Sequence, residues 1–358
     1  MDMVRRRQWL GEFRLLREYI DFLFHPTRLS PFASCRQPHD DLLGAPRNRQ
    51  WIDAPQPRKK NDVPRTPQPP SPPPAGPGRG LAGIACVLIA MLTFATQDAI
   101  TKTLAQDLAV AQIVMVRYWL FAAFATVLIA RRPGGLGRAV RARRPWLQVV
   151  RSVIFVVEIG VFAWVVARMP LSTAQAVFAV CPLMVTALSP IVLGERVGLV
   201  RWLAVTAGFV GVLVILRPTD GVLDPVGVVA VIGAAMFATY TLLTRLLAQE
   251  DRFETSYGYV AWIGCLVATL VGPFLWLNPT GEQWLGLLVL GCTGIFGHML
   301  LMKAYELSEA SVLQPFTYTQ LLWGIVIGMA VFNEIPDLWM LTGATIVVGA
   351  GLVAMRAR

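Results

Sequence analysis

From Gly80 to the C-terminus the chain alternates long apolar runs with short polar breaks. A helix needs about 20 apolar residues to cross the hydrocarbon layer of a bilayer. Backbone polar groups find no water there, so each run must satisfy its own hydrogen bonds as a helix. The runs fall near 81–104, 109–130, 146–168, 171–193, 199–216, 226–247, 257–277, 284–305, 310–332 and 338–355. The expected fold class is therefore an all-α membrane protein with ten transmembrane helices. Composition agrees, because only 15% of the residues are charged, against about a quarter in soluble domains.

Residues 1–79 are a different material. Trp9, Phe13, Leu16, Ile20 and Leu23 recur at helical spacing among arginines, which fits a short amphipathic helix over 4–24. A stretch ending PRTPQPPSPPPAGPG follows. It is too polar and too rich in proline to bury a core, so a disordered tether is expected. No uninterrupted apolar segment follows the first arginines, so a cleaved signal peptide is not expected.

The net charge of +10 does not argue for a nucleic-acid partner, because the basic residues cluster where spans end. There they meet anionic lipid headgroups, making membrane lipid the expected partner. Arg131, Arg132, Arg138, Arg141, Arg143 and Arg144 follow the second run, Arg196 and Arg201 the fourth, Arg252 the sixth, and Arg356 and Arg358 the tenth. By the positive-inside rule both termini are cytoplasmic, in a bacterial-type inner membrane. The five cysteines show no CxxC spacing, and HExxH and GxSxG are absent. Metal, cofactor and catalytic residues are accordingly not expected.

The chain also repeats itself. FATQDAITKTLAQD at 94–107 returns as FATYTLLTRLLAQE at 237–250, and the register carries Trp119 onto Trp262. With a shorter offset Ser172 matches Ser311, Gln175 matches Gln314, and Gly194-Glu195 matches Asn333-Glu334. Two five-helix repeats are expected, 80–217 and 218–358. Five is odd, so the second copy must enter the membrane from the opposite side. Inverted repeats are the architecture of many secondary transporters, with substrate held between the halves near the midplane.

Ionisable groups within spans are costly, about 2.5–3.5 kcal/mol each on insertion scales, so they face a cavity or a partner. Asp98 and Lys102, four apart on span 1, suit either a substrate or proton anchor or a neutralised helical pair. Arg117, inside span 2, suits binding of an anionic or planar polar substrate, pairing with Asp98 or Glu158, or snorkelling. Glu158 at the middle of span 3 is the best single candidate for a protonation switch, the alternative being a salt bridge to Arg117 or Lys303. His298 and Lys303 lie on span 8, the histidine being either titratable or a satisfied hydrogen-bonding group. Arg151, about a turn inside span 3, is expected to snorkel. Gln175 and Gln314 can recognise a neutral or zwitterionic metabolite without a charge penalty. Trp119, Tyr240, Trp262 and Tyr318 can stack on a flat ring or simply pack. Pro182, Pro190 and Pro315 interrupt spans 4 and 9. Glu195 and Glu334 sit at helix C-termini, where each can cap the following helix, and are expected to be structural or gating.

The residues 81–356 resemble the drug/metabolite transporter superfamily, specifically its ten-helix EamA-type members. The resemblance rests on DAITK at 98–102, on LSTAQAVFAVCPLMVTALSPIVLGER with its Pro182 and Gly194-Glu195, and on LSEASVLQPFTYTQLLWGIVIGMAVFNE. The last stretch departs from the family pattern: Gln320-Leu321 stands where Glu-Pro is usual, and Asn333 replaces glycine. The resemblance implies gradient-linked movement of a small metabolite, with proton coupling. FATQDAITK followed by IVMVRYW is closest to riboflavin-uptake members. Export of amino acids or toxic metabolites is the alternative within the superfamily, and an intramembrane enzyme or a channel is the rival outside it. A homodimer is compatible with the sequence.

Overall fold

Ten helices long and apolar enough to span a membrane form the bundle in the computed structural model: Gly80–Leu104, Val110–Ala130, Pro145–Val166, Leu171–Leu193, Leu199–Leu216, Pro225–Leu247, Phe253–Leu275, Gly281–Leu307, Val312–Phe332 and Leu338–Arg356. They are called spans 1 to 10 in that order. The structure describes residues 77–132, 134–194, 196–217 and 224–357, with side chains from Gly80 onward other than those of Ala310 and Ser311. The amphipathic helix expected over 4–24, the proline-rich stretch and Glu195 lie outside the described residues. No strand occurs among the described residues.

Two spans begin about a turn earlier than their apolar runs suggest. Span 8 starts at Gly281 because Thr280 and Gln283 form a reciprocal capping box, which satisfies two otherwise orphaned N–H groups. Span 7 starts at Phe253, where Glu254 places an acid in the first turn, favourable against the helix dipole. Spans 4 and 9 are each broken. Span 4 consists of Leu171–Phe178 and Cys181–Leu193, and span 9 breaks at Tyr318, between Ala310–Thr317 and Thr319–Phe332. Pro182 sits in the first turn of the second piece of span 4, where its missing N–H costs nothing. Pro315 lies inside the helix just before the span 9 break, whereas Pro190 lies within Cys181–Leu193 without breaking it.

The C-terminal ends of these two broken spans are alike. Gly194 (φ 68°) and Asn333 (φ 53°) both adopt the left-handed conformation that closes a helix. Asparagine is the residue other than glycine that tolerates this conformation best, so Asn333 keeps the geometry at the position where glycine is usual. Glu334 N–H then bonds back to Gly328 O at 3.0 Å.

The principal packings come in matched sets. Span 1 packs on span 8 and span 6 on span 3; the second piece of span 9 packs on span 1 and that of span 4 on span 6; spans 2 and 7, and spans 5 and 10, pair directly. Exchanging spans 1–5 with 6–10 returns the same set of principal packings. A reciprocal pair of hydrogen bonds follows the same rule. Trp119 Nε1 donates to Thr269 Oγ1 and Trp262 Nε1 to Thr126 Oγ1, each at 2.9 Å, between spans 2 and 7. Interhelical hydrogen bonds in membranes average about 0.6 kcal/mol, so Thr126→Val and Thr269→Val should each cost about that much. Denaturant unfolding in detergent measures it; a cost above about 2 kcal/mol for either would show that the tryptophans hold more than these bonds. Spans 5 and 10 cross glycine on glycine, and a Cβ on Gly211 would stand 2.9 Å from Gly343 O. Small residues let helix backbones approach this closely.

Candidate functional site

The polar core of the bundle centres on Asp98 of span 1, which is 5% exposed. Its Oδ2 accepts hydrogen bonds from Gln175 Nε2 and Gln320 Nε2, both at 3.1 Å. The carboxylate therefore joins span 1 to the two broken spans, 4 and 9. Gln175 fits because span 9 carries a glycine opposite it: a Cβ on Gly324 would collide with the Gln175 amide oxygen. Gln97, beside Asp98, lies against Gly294 of span 8, where an added Cβ would stand 2.9 Å from its Oε1 and 3.7 Å from Arg117 Nε. Two glycines thus make room for two amides and a guanidinium.

Arg117 lies in electrostatic reach of both Asp98 and Glu158, and the two carboxylates in reach of each other. Glu158 is 5% exposed at the middle of span 3. One cation facing two buried acids leaves one carboxylate in excess when all three are ionised. Beside them is a cavity of about 30 Å³ lined by Arg117, Tyr118, Phe121, Phe155, Ile159 and His298 together with span 8 glycines. That is room for a water or two and not for a metabolite. His298 bonds Gly294 O through Nδ1 at 2.8 Å and meets the Phe94 ring edge-on at 5.0 Å. Phe155 and Tyr240 stack with ring centroids 4.1 Å apart, so span 3 meets span 6 through an aromatic pair below the charged centre.

Asp98 and Lys102 do not form the helical pair that their spacing allows; each has its own partners. Lys102 Nζ sits 2.5 Å from Glu334 Oε1 and donates to Met169 O at 2.7 Å. Glu334 Oε2 accepts from the Leu171 N–H at 2.7 Å. The end of span 1, the turn between spans 3 and 4, and the end of span 9 are tied together at the face expected to be periplasmic. Glu334 does not cap span 10. That cap is Asp337, whose carboxylate accepts from Met340 N–H at 2.7 Å and pairs with Arg217. These contacts, the backbone bond first, hold the Asp337 carboxyl below the ordinary range.

Other residues of interest stand apart from this centre. Lys303 pairs with Glu306 at 2.9 Å one turn along span 8. Gln314 is exposed, unlike its buried counterpart Gln175. Tyr318 is buried against Gly351 of span 10. Trp119 and Trp262 serve the contact between spans 2 and 7. Arg151 does not snorkel: it is 1% exposed and turned toward spans 6 and 7. Sequence reasoning missed Gln97 and Phe155 and read Gln320 only as a departure. The available signal was their position, Gln97 next to Asp98 and Phe155 one turn before Glu158.

Ten apolar helices around a buried charged centre, with broken helices reaching it from both halves, define a multi-pass membrane transporter. The chain belongs to the EamA-like transporter family, whose model matches residues 81–217 and 226–356. It is similar to the S-adenosylmethionine uptake transporter of Rickettsia prowazekii, at 24% identity over 76% of this chain and 92% of that one. Similarity to the riboflavin transporter of Rhizobium johnstonii is 28% over 78% and 92% of the two chains. The pseudopaline exporter of Pseudomonas aeruginosa is 26% identical over 77% and 97%. These relatives point to a transporter of small metabolites rather than an enzyme.

Proposed function

We propose that this chain is a secondary active transporter that moves a small metabolite bearing a flat heterocycle across a bacterial-type inner membrane. Both termini face the cytoplasm, and the repeats 80–217 and 218–358 lie inverted about the centre. The observation that carries this reading is the buried pair of acids Asp98 and Glu158 with the partly buried Arg117 in reach of both, Asp98 being held by Gln175 and Gln320 from the two broken spans. Half-helices that meet at a polar midplane are how transporters present a site to either side in turn. The excess carboxylate is the natural docking point for a coupling proton or for a cationic group of the substrate. Phe94, Phe121, Phe155 and Tyr240 supply ring faces and edges beside it. Riboflavin and S-adenosylmethionine, the substrates named for two of the relatives, both carry such a heterocycle.

Uptake is favoured because the S-adenosylmethionine relative is named an uptake transporter. The similarity to an exporter supports the opposite direction as the second reading. Bacteria unable to make riboflavin, and others unable to make S-adenosylmethionine, should grow on a low external supply of at least one of the two when this protein is expressed. Failure of both rescues, with the protein shown in the membrane, would remove the flat-ring uptake proposal.

A further inference from the structure

Arg151 is held deep between spans 3, 6 and 7 by neutral acceptors alone. Its Nη1 donates to Thr244 Oγ1 at 3.3 Å and its Nη2 to Ser256 O at 2.7 Å. Its Nε is buried without a hydrogen-bond partner. No carboxylate lies within salt-bridge distance of it among the described residues. The acid in electrostatic reach, Asp251, accepts from the Arg143 N–H at 2.8 Å and from Gln148 Nε2 at 2.8 Å, and the same Gln148 amide donates to Ser256 Oγ at 3.1 Å. Two other cations of the interior differ. Lys102 touches Glu334, and Arg117 faces two acids.

A second observation falls in the same place. The guanidinium carbon lies 5.7 Å from the centre of the Tyr240 ring, which stacks on Phe155 and meets Phe237 at a tilt. The Tyr257 hydroxyl, in electrostatic reach of Tyr240, is also buried without a partner. Arg151, Phe155 and Glu158 follow one another at i, i+4 and i+7, on one face of span 3. Seven residues span about 10 Å along a helix. A positive charge and spare donors therefore stand about two turns from the charged centre, on the strongly basic side of the bundle, with an aromatic pair between.

We propose that Arg151 is a substrate-binding station for an oxyanion, a carboxylate or a phosphate carried by the transported metabolite. The guanidinium fork matches either group through paired N–H donors. The metabolite reaches it by separating the Phe155–Tyr240 stack, which lets the ring lie against the aromatics while the oxyanion meets Arg151. This inference rests on the transporter reading and narrows it. A flat heterocycle with an anionic arm fits the site, and one without such an arm lacks a partner for Arg151.

The test uses the purified full chain in detergent, with melting temperature measured against three probes. S-adenosylmethionine carries a carboxylate, riboflavin 5′-phosphate a phosphate, and riboflavin neither. At least one of the first two should stabilise the native protein. Its apparent affinity should fall at least about tenfold in Arg151→Gln and less in Arg151→Lys, which keeps the charge and loses the fork. The choice of probe tells carboxylate from phosphate. The proposal is overturned if neither oxyanion probe stabilises the native protein, or if both variants respond as the native protein does. Arg151→Lys decides the matter alone should Arg151→Gln fail to fold. The same proteins in liposomes separate the two readings. Binding through Arg151 without uptake leaves the station and removes transport of that probe. Uptake indifferent to Arg151 leaves transport and removes the station.

Discussion

Lys102→Met should destabilise the folded protein by about 3–5 kcal/mol, because it leaves the largely covered Glu334 carboxylate without its cation. The side chains of Lys102 and Glu334 are 11% and 16% exposed, so solvent does little to relieve the orphaned charge. Glu334→Gln alone strands Lys102 in the same way. The double variant Lys102→Met with Glu334→Gln should recover most of the loss, since the glutamine oxygen can still accept from the Leu171 N–H while no charge remains. Denaturant unfolding of the four proteins in one detergent gives the coupling energy. Additive losses in the double variant would mean that the two groups act independently. The tie joins span 1 to both the turn before span 4 and the end of span 9, so the double variant should also open more readily at this face. Thiol labelling of a cysteine placed at Gln175 should then be faster in the double variant than in the parent.

Gly324→Val should abolish transport while sparing insertion of the protein in the membrane. Any Cβ there overlaps the Gln175 amide oxygen, so Gln175 must leave its hydrogen bond to Asp98. Overpacking of this kind costs about 1–3 kcal/mol of stability, less than the loss expected at Lys102. The effect on transport should be larger, because Asp98 loses one of its two amide donors and the contact between spans 4 and 9 is forced apart. Gly324→Ala should show the same defect in weaker form. Normal transport by Gly324→Val at normal expression would show that the Gln175–Asp98 contact is not part of the transport cycle.

The spans were legible in the sequence because hydropathy over 20 residues is a sum and tolerates local error. Their starts at Phe253 and Gly281 were not, since those depend on Glu254 and on the Thr280–Gln283 capping box rather than on hydropathy. Glu158 was legible as a central group because a carboxylate at mid-span has no route to water. Lys102 was harder. Helical spacing favours Asp98 as its partner, yet the rotation of span 1 about its axis aims it at Glu334 and Met169. Arg151 failed for a related reason. Depth along the helix suggested snorkelling, but the direction in which a side chain leaves the helix is set by packing against spans 6 and 7. Gln320 stood out only against the family pattern. In the structure an amide there donates to Asp98, a bond that an ionised glutamate could not make.

Purified protein in liposomes, given S-adenosylmethionine or riboflavin under an imposed proton gradient, tests the central claim most directly. The native chain should accumulate one of them, and Asp98→Asn or Glu158→Gln should lose accumulation or its dependence on the gradient. Gradient-dependent accumulation that persists unchanged in both variants would contradict a transport centre built on Asp98, Arg117 and Glu158.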